Sequence, residues 1–276
     1  MRSILIATDT HADSDRALAR AIRIATAQGA ALTVLSVMED TEQDAALTLR
    51  KGLVRDQLAL HVGADALDTH ITVKAGDPAS EIAHASAGCA ADLVVMGRHH
   101  HRRLLDAVRA TTVEKILQSL TCPALLAVSP AAQDYARVLA PVDFSRACKA
   151  SIEAARALAP QAEIDVIHAV QVPYQTAIAA PGAVGDISHM VDPTPFLEDA
   201  EARAKAFSPD QAVTCKAGAI SSVFEAAFQE ARADLVCLGA HTKTGIMDAL
   251  LGSFTADMVR NPPTDLLIAP PPRSAM

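Results

Sequence analysis

The chain contains no tryptophan, and aromatic residues fill only 3% of its 276 positions. A core without large rings has to be built from small and branched aliphatic side chains. Half of the sequence is apolar, and that mix suits Val, Ile and Leu strands covered on both faces by Ala- and Leu-rich helices. Cysteine is sparse as well: Cys89, Cys122, Cys148, Cys215 and Cys237 are scattered without a C-x-x-C pair. This excludes a disulfide framework and a zinc knuckle, and buried reduced thiols are expected instead. No apolar run approaches the ~18 residues that a membrane span needs. The opening stretch Met1 to Asp9 turns polar too soon for the core of a signal peptide, so a cytoplasmic chain without membrane contact is expected. Basic residues are outnumbered, 24 against 32 acidic, for a formal charge of -8. A phosphate-backbone binder needs clustered Lys and Arg, so nucleic acid is not an expected partner.

Catalytic signatures are missing too. There is no Gly-x-Ser-x-Gly elbow, no Gly-Lys-(Ser/Thr) phosphate loop and no Gly-x-Gly-x-x-Gly after the first strand. No catalytic residue is assigned, and the chain is not expected to be an enzyme. The most conspicuous polar cluster is His99-His100-His101-Arg102-Arg103. Consecutive residues converge poorly on one ion, and no carboxylate or cysteine stands at ligand spacing, so a solvated cationic loop is preferred to a metal site.

What the sequence does contain is a repeat. Lys74-Ala75-Gly76 recurs as Lys216-Ala217-Gly218, and Ala91-Asp92-Leu93-Val94-Val95-Met96-Gly97 recurs at the same spacing as Ala233-Asp234-Leu235-Val236-Cys237-Leu238-Gly239. Ile4 to Asp9 resembles Val138 to Asp143 at a shorter spacing, so the second copy carries extra residues between its second and third strands. The insertion is assigned to Val172–Pro195, rich in Pro, Gly and Ala and expected to be a loop. Ser129 to Asp134 is a short linker. The chain divides into copies at 1–130 and 136–276, each long enough to bury a core.

Each copy alternates strand and helix. In the first, strands are expected at Ser3–Thr8, Leu32–Val37, Thr69–Lys74, Leu93–Met96 and Ala124–Val128. Helices are expected at Asp13–Gln28, with Leu18, Ala21, Ile22 and Ala25 on one face and Gly29 as its stop, and near Thr41–His61, Ala79–Cys89 and Thr112–Ser119. In the second copy the strands fall near Arg137–Pro141, Ile164–Ala169, Ala212–Lys216, Leu235–Leu238 and Leu266–Ala269. Such alternation with right-handed crossovers gives two tandem doubly wound parallel sheets of the α/β class.

Ligands of an open parallel sheet sit beyond the carboxyl ends of its strands. In the second copy those ends are Pro141-Val142-Asp143, Ala169-Val170 and Leu238-Gly239-Ala240-His241-Thr242, and a helix follows Gly252-Ser253-Phe254. A glycine loop leading to a Gly-Ser helix start suits phosphates, because unpaired amides and the helix dipole favour an anion there. Asp143 can accept the exocyclic amino group of adenine. The plainer alternatives are that Asp9 and Asp143 close a turn after strand one, a reading that weighs more for Asp9, and that Gly252-Ser253 is only a helix start.

The strand ending in Asp, the glycine loop and the Gly-Ser before the last helix resemble the universal stress protein family, whose nucleotide-binding members carry Gly-x2-Gly-x9-Gly-(Ser/Thr). The resemblance spans both halves. It implies an adenine nucleotide alpha hydrolase-like fold with strand order 3-2-1-4-5, ATP or another adenine nucleotide as ligand, and site residues Pro141, Asp143, Ala169, Leu238, Gly239, His241, Thr242, Gly252, Ser253 and Phe254. The second copy reads Gly239-x2-Thr242-x9-Gly252-Ser253, with Thr at the middle glycine, and the first reads Gly97-x2-His100-x9-Ala110-Thr111. The first copy is therefore expected to be degenerate. A side chain at Gly252 is expected to obstruct phosphate and to disfavour any positive φ there. A protein-interaction module without ligand and a weak ATPase are the alternatives. The last strands of the two copies, which family order puts at sheet edges, are expected to pair as an intramolecular pseudo-dimer, since an uncovered edge is an aggregation liability. A homodimer and further protein partners stay open.

Overall fold

The computed structural model describes residues 1–39, 43–61, 67–98, 112–172, 192–240 and 252–272. The first copy runs β1 (Ser3–Ala7), α1 (Ala12–Gln28), β2 (Ala31–Met38), α2 (Asp44–Ala59), β3 (Thr69–Ala75), α3 (Pro78–Gly88), β4 (Leu93–Met96), α4 (Thr112–Ser119) and β5 (Ala124–Leu126). The second runs β6 (Arg137–Pro141), α5 (Arg146–Leu158), β7 (Glu163–Val170), α6 (Thr194–Phe207), β8 (Val213–Ala217), α7 (Ile220–Ala231), β9 (Leu235–Gly239), α8 (Ser253–Arg260) and β10 (Asp265–Ala269).

Local rules account for these elements. Leu18, Ala21, Ile22 and Ala25 are all buried, and Gly29 ends α1 in the left-handed conformation at φ 61°, where a β-carbon would be strained. Asp77 caps α3 by accepting the Ser80 amide at 2.9 Å, with Pro78 in the first turn. Two expectations are corrected. α2 starts at Asp44 rather than Thr41, because Gln43 is an extended N-cap (φ -72°, ψ 118°). Thr194 and Pro195 belong to the first turn of α6 rather than to the inserted loop, since proline is tolerated at a helix start. Residues 173–191 of that insertion lie outside the described residues.

All ten strands form one sheet in the order β3-β2-β1-β4-β5-β10-β9-β6-β7-β8. Each copy is parallel and has the order 3-2-1-4-5. The copies meet where β5 and β10 pair antiparallel, Leu266 opposite Leu126, Leu267 opposite Leu125 and Ile268 opposite Ala124. Leu125 and Leu267 are equivalent positions of the repeat, so a pseudo-twofold axis passes between them. Helices α1, α2 and α5 cover one face and α3, α4, α7 and α8 the other, and the apolar layer on each face draws residues from both copies. The two cores are continuous across the seam. Their largest fully buried side chains are all Ile and Leu.

One carboxylate fastens the seam. Asp265 is fully buried, and its Oδ1 accepts the amides of Val128 at 2.8 Å and Ser129 at 2.7 Å, where β5 runs out into the linker. Its Oδ2 accepts the Tyr135 hydroxyl at 2.6 Å and lies 3.3 Å from Nε of Arg20, whose side chain is 5% exposed. Arg20 in turn donates to the carbonyls of Gln133 and Pro130 and lies over the Tyr135 ring. Arg23 holds Asp134 and the Ala132 carbonyl. The linker is thus clamped to α1 along its length. Burial beside the Asp265 charge drives the Tyr135 phenol well above its ordinary pKa, so it stays a donor.

Removing one member of a buried ion pair leaves the other uncompensated. Asp265→Ala should therefore lower stability to urea by about 3–5 kcal/mol, and Tyr135→Phe by about 1.5–3 kcal/mol, the value of a hydrogen bond to a charged group. A loss of only ~0–1 kcal/mol in Asp265→Ala, as for an exposed pair, contradicts this role.

Candidate functional site

The chain reverses direction across the sheet between β6 and β9 in the second copy, and between β1 and β4 in the first. The turn after the first strand is built alike in both. Asp143 Oδ1 accepts the Ser145 amide at 2.9 Å, and Phe144 between them sits at φ 66°. Asp9 Oδ1 accepts the His11 amide at 3.0 Å around Thr10 at φ 64°. Both aspartates therefore close Asx turns, which is what holds a side chain in the left-handed region. Different residues brace the two turns. Arg50 Nη1 donates to the Asp9 carbonyl at 2.6 Å and to Thr10 Oγ1 at 2.7 Å. In the second copy Phe144 packs on His168 at 4.2 Å between ring centroids and beneath Arg203 at 5.0 Å, while His168 Nδ1 lies 2.7 Å from the Val142 carbonyl.

The strand ladders also differ. β1 pairs with β4 as far as Ala7 opposite Met96, whereas the β6–β9 ladder stops at Leu139 opposite Val236. The Val142 amide points to Ile167 on β7, so position 141 faces β9, and Pro141 has no N–H to offer it.

At this point the structure gathers Pro141, Asp143, Leu238, Gly239, Gly252, Ser253 and Phe254 around a cavity of about 210 Å³, with Val142, Cys148, Ile220 and Thr255 completing its wall. Those last four were not singled out from the sequence. Three of them start helices, and a helix that begins just after a strand end has to place its first turn there. Ala169 stands apart, on β7 beside Lys216 of β8. His241 and Thr242 lie outside the described residues, as do His99 to Arg103, Ala110 and Thr111 of the first copy.

The glycines play roles other than those read from the motif. A β-carbon on Gly239 would stand 2.6 Å from the Cys148 amide nitrogen and 2.7 Å from the Ala147 carbonyl carbon. Gly239 is thus required for the first turn of α5 to seat against the end of β9. Gly252 is the N-cap of α8 at φ -57°, ψ 152°, so the expectation of a positive φ there is corrected: its backbone is one that any residue adopts. Glycine as N-cap has no side chain with which to cap α8, and Ser253, Phe254 and Thr255 of its first turn line the cavity, where the amides of a helix start can serve as donors. Phe254 is held edge-on against Phe224 at 5.4 Å, and Phe224 stacks with Phe228. All six phenylalanines of the chain belong to the second copy.

The Asp143 carboxylate also accepts the Cys148 thiol at 3.1 Å. Burial pushes that thiol up to about 11 and the Cys237 thiol up to about 12. All five cysteines are free, but Cys89, Cys122 and Cys215 are only partly buried, which corrects the expectation for those three: Cys89 ends α3, Cys122 lies in the loop before β5 and Cys215 is on the outer strand β8. Among the described residues no group of three or more His, Cys, Asp or Glu is placed to hold a metal. No described helix is long and apolar enough to cross a membrane.

Fold and cavity together define a two-unit α/β protein, doubly wound in each half, with a cleft at the strand-order reversal of the second. The sequence model of the universal stress protein family matches residues 1–127 and again 134–270, and the chain belongs to that family. A universal stress protein from Archaeoglobus fulgidus is 18% identical with a TM-score of 0.67, the match covering 97% of this chain and 98% of that one. A functionally unknown protein from Pseudomonas aeruginosa PAO1 is 19% identical with a TM-score of 0.64, covering 98% of this chain and 93% of that one. At such identities the likeness concerns the fold. No curated protein matches the sequence.

Gly239→Ala should overpack the contact with α5 and cost about 1–3 kcal/mol in urea unfolding; an unchanged midpoint contradicts the close approach. The raised thiol pKa values also set a pH dependence. The folded chain keeps protons that unfolded cysteines lose above their ordinary value of 9.0, so this stability is whole below that pH and falls as pH rises towards about 11–12. Urea midpoints should drop between about pH 8 and pH 10.5 and drop less in Cys148→Ala/Cys237→Ala; equal slopes in the two proteins contradict this.

Proposed function

We propose that the second copy binds an adenine nucleotide, ATP or a close relative, and that the chain acts as a cytoplasmic stress-response binding protein rather than as an enzyme. The observation that carries this reading is the cavity at the β6–β9 reversal. It joins a carboxylate, Asp143, to the glycine-led N-terminus of α8 within one apolar wall formed by Leu238, Ile220 and Phe254. The carboxylate suits an amino group of the base, the apolar wall suits its ring, and the amides of α8 suit phosphate oxygens. The first copy is proposed not to bind, because Ala110 and His100 replace the glycines of its loop. With β5 and β10 already paired to each other, any homodimer has to use another surface.

One observation favours the second reading, a protein-interaction module. Leu49, Leu53 and Leu60 of the α2 region are 67%, 48% and 82% exposed, a spacing that puts them along one side of the helix.

Isothermal titration with ATP separates the two readings. One site per chain is expected, abolished in Gly252→Val by bulk at the cavity wall. Asp143→Ala should weaken binding by about 1–3 kcal/mol. Asp143→Asn, which keeps an acceptor for the turn, should also weaken it, while Asp9→Ala leaves it unchanged. Two equivalent sites, or full affinity in Gly252→Val, overturn the assignment, and a wild-type chain that binds no nucleotide favours the interaction module.

A further inference from the structure

We propose that Glu114 of the first copy is a positioning residue for the second copy's site: it holds α8 from the end opposite the cavity, so the degenerate copy serves as a scaffold for the other. The affinity part of this inference rests on the nucleotide reading above; the structural part does not. α8 has only eight residues, below the ~12–15 that make an isolated helix even marginal in water. Its placement therefore depends on what it touches. Within its own copy Phe254 holds it against Phe224 and its Thr255 and Val259 are buried, and α4 of the first copy packs against it. At its last residue it is held from the other copy, where Arg260 Nε lies 3.0 Å from Glu114 Oε1.

Glu114 is no incidental surface acid. Its side chain is 4% exposed, against 45% for Arg260, and a carboxylate so buried is strongly destabilising unless paired. A cation at the C-terminus of α8 also suits the helix dipole there. The repeat adds a second argument. The position equivalent to Glu114 in the second copy is Ala256, and that equivalent to Arg260 in the first is Gln118. The pseudo-twofold mate of this ion pair carries no charge on either side, so of the two equivalent helices, α4 and α8, it is α8 whose last turn receives this anchor. That is the helix whose first turn lines the cavity.

The test uses the full chain. Amide deuterium exchange should rise about tenfold over Ser253 to Arg260 in Glu114→Gln and stay unchanged in β9 and α7, as for a local opening. ATP affinity should fall about tenfold in the same variant and in Arg260→Gln, while Arg260→Lys, which keeps a cation in reach, stays near wild type. Unchanged exchange in α8, a rise spread evenly over the whole chain, or a loosened α8 with wild-type affinity each overturns the proposal. Should the wild-type chain bind no ATP, the nucleotide reading falls by itself, and exchange in α8 still decides whether Glu114 holds that helix.

Discussion

The seam between the two copies is the constraint on which the rest of the molecule depends. Two short strands, β5 and β10, pair about Leu125 and Leu267. This leaves β3 and β8 as the outer strands and lets one apolar layer on each face run through both halves. The pairing is short, and Asp265 lengthens it by taking the amides of Val128 and Ser129 of the first copy in place of a main chain. The opposite end of the strand pair is closed differently. The positions equivalent to Val128 and Ser129 are Pro270 and Pro271, which have no N–H and stop the ladder there. Arg20 and Tyr135 then satisfy the rest of the Asp265 carboxylate and fix the linker on α1.

Much of the fold was legible because its determinants are local. Alternating strand and helix patterns, the stop at Gly29 and the recurrence of Ala-Asp-Leu-Val place most elements within a residue or two of where they lie. The clamped linker was not legible. Ser129 to Asp134 has the composition of a spacer, and what holds it are Arg20 and Arg23, more than a hundred residues away in the chain. Asp265 looks like the polar residue before a strand, and no periodicity links it to Arg20 or Tyr135. Contacts of that separation are set by topology. They could be read only after the edge-to-edge pairing was known.

The site was legible in membership more than in mechanism. The motif drew attention to Asp143, Gly239, Gly252 and Ser253, and the structure places all four on one cavity. A glycine in a motif says that a β-carbon is unwelcome without saying what it would strike. For Gly239 the obstacle is the first turn of α5, and for Gly252 the backbone angles are ordinary. Asp143 serves the turn first, and Asp9 does the same in a copy whose glycine loop has decayed. The aromatic residues carry the clearest mark of asymmetry. The second copy keeps its site walled and braced by Phe144, Phe254 and their partners, while the first has no phenylalanine at all.

If the first copy is to scaffold the proposed site of the second, the two have to unfold together. Scanning calorimetry of the full chain, with and without ATP, tests that most directly. The account predicts a single transition whose calorimetric and van't Hoff enthalpies agree, and which moves upward as a whole when ATP is present. Two transitions, or a calorimetric enthalpy about twice the van't Hoff value with only one component moved by ATP, would show two independent domains and contradict it.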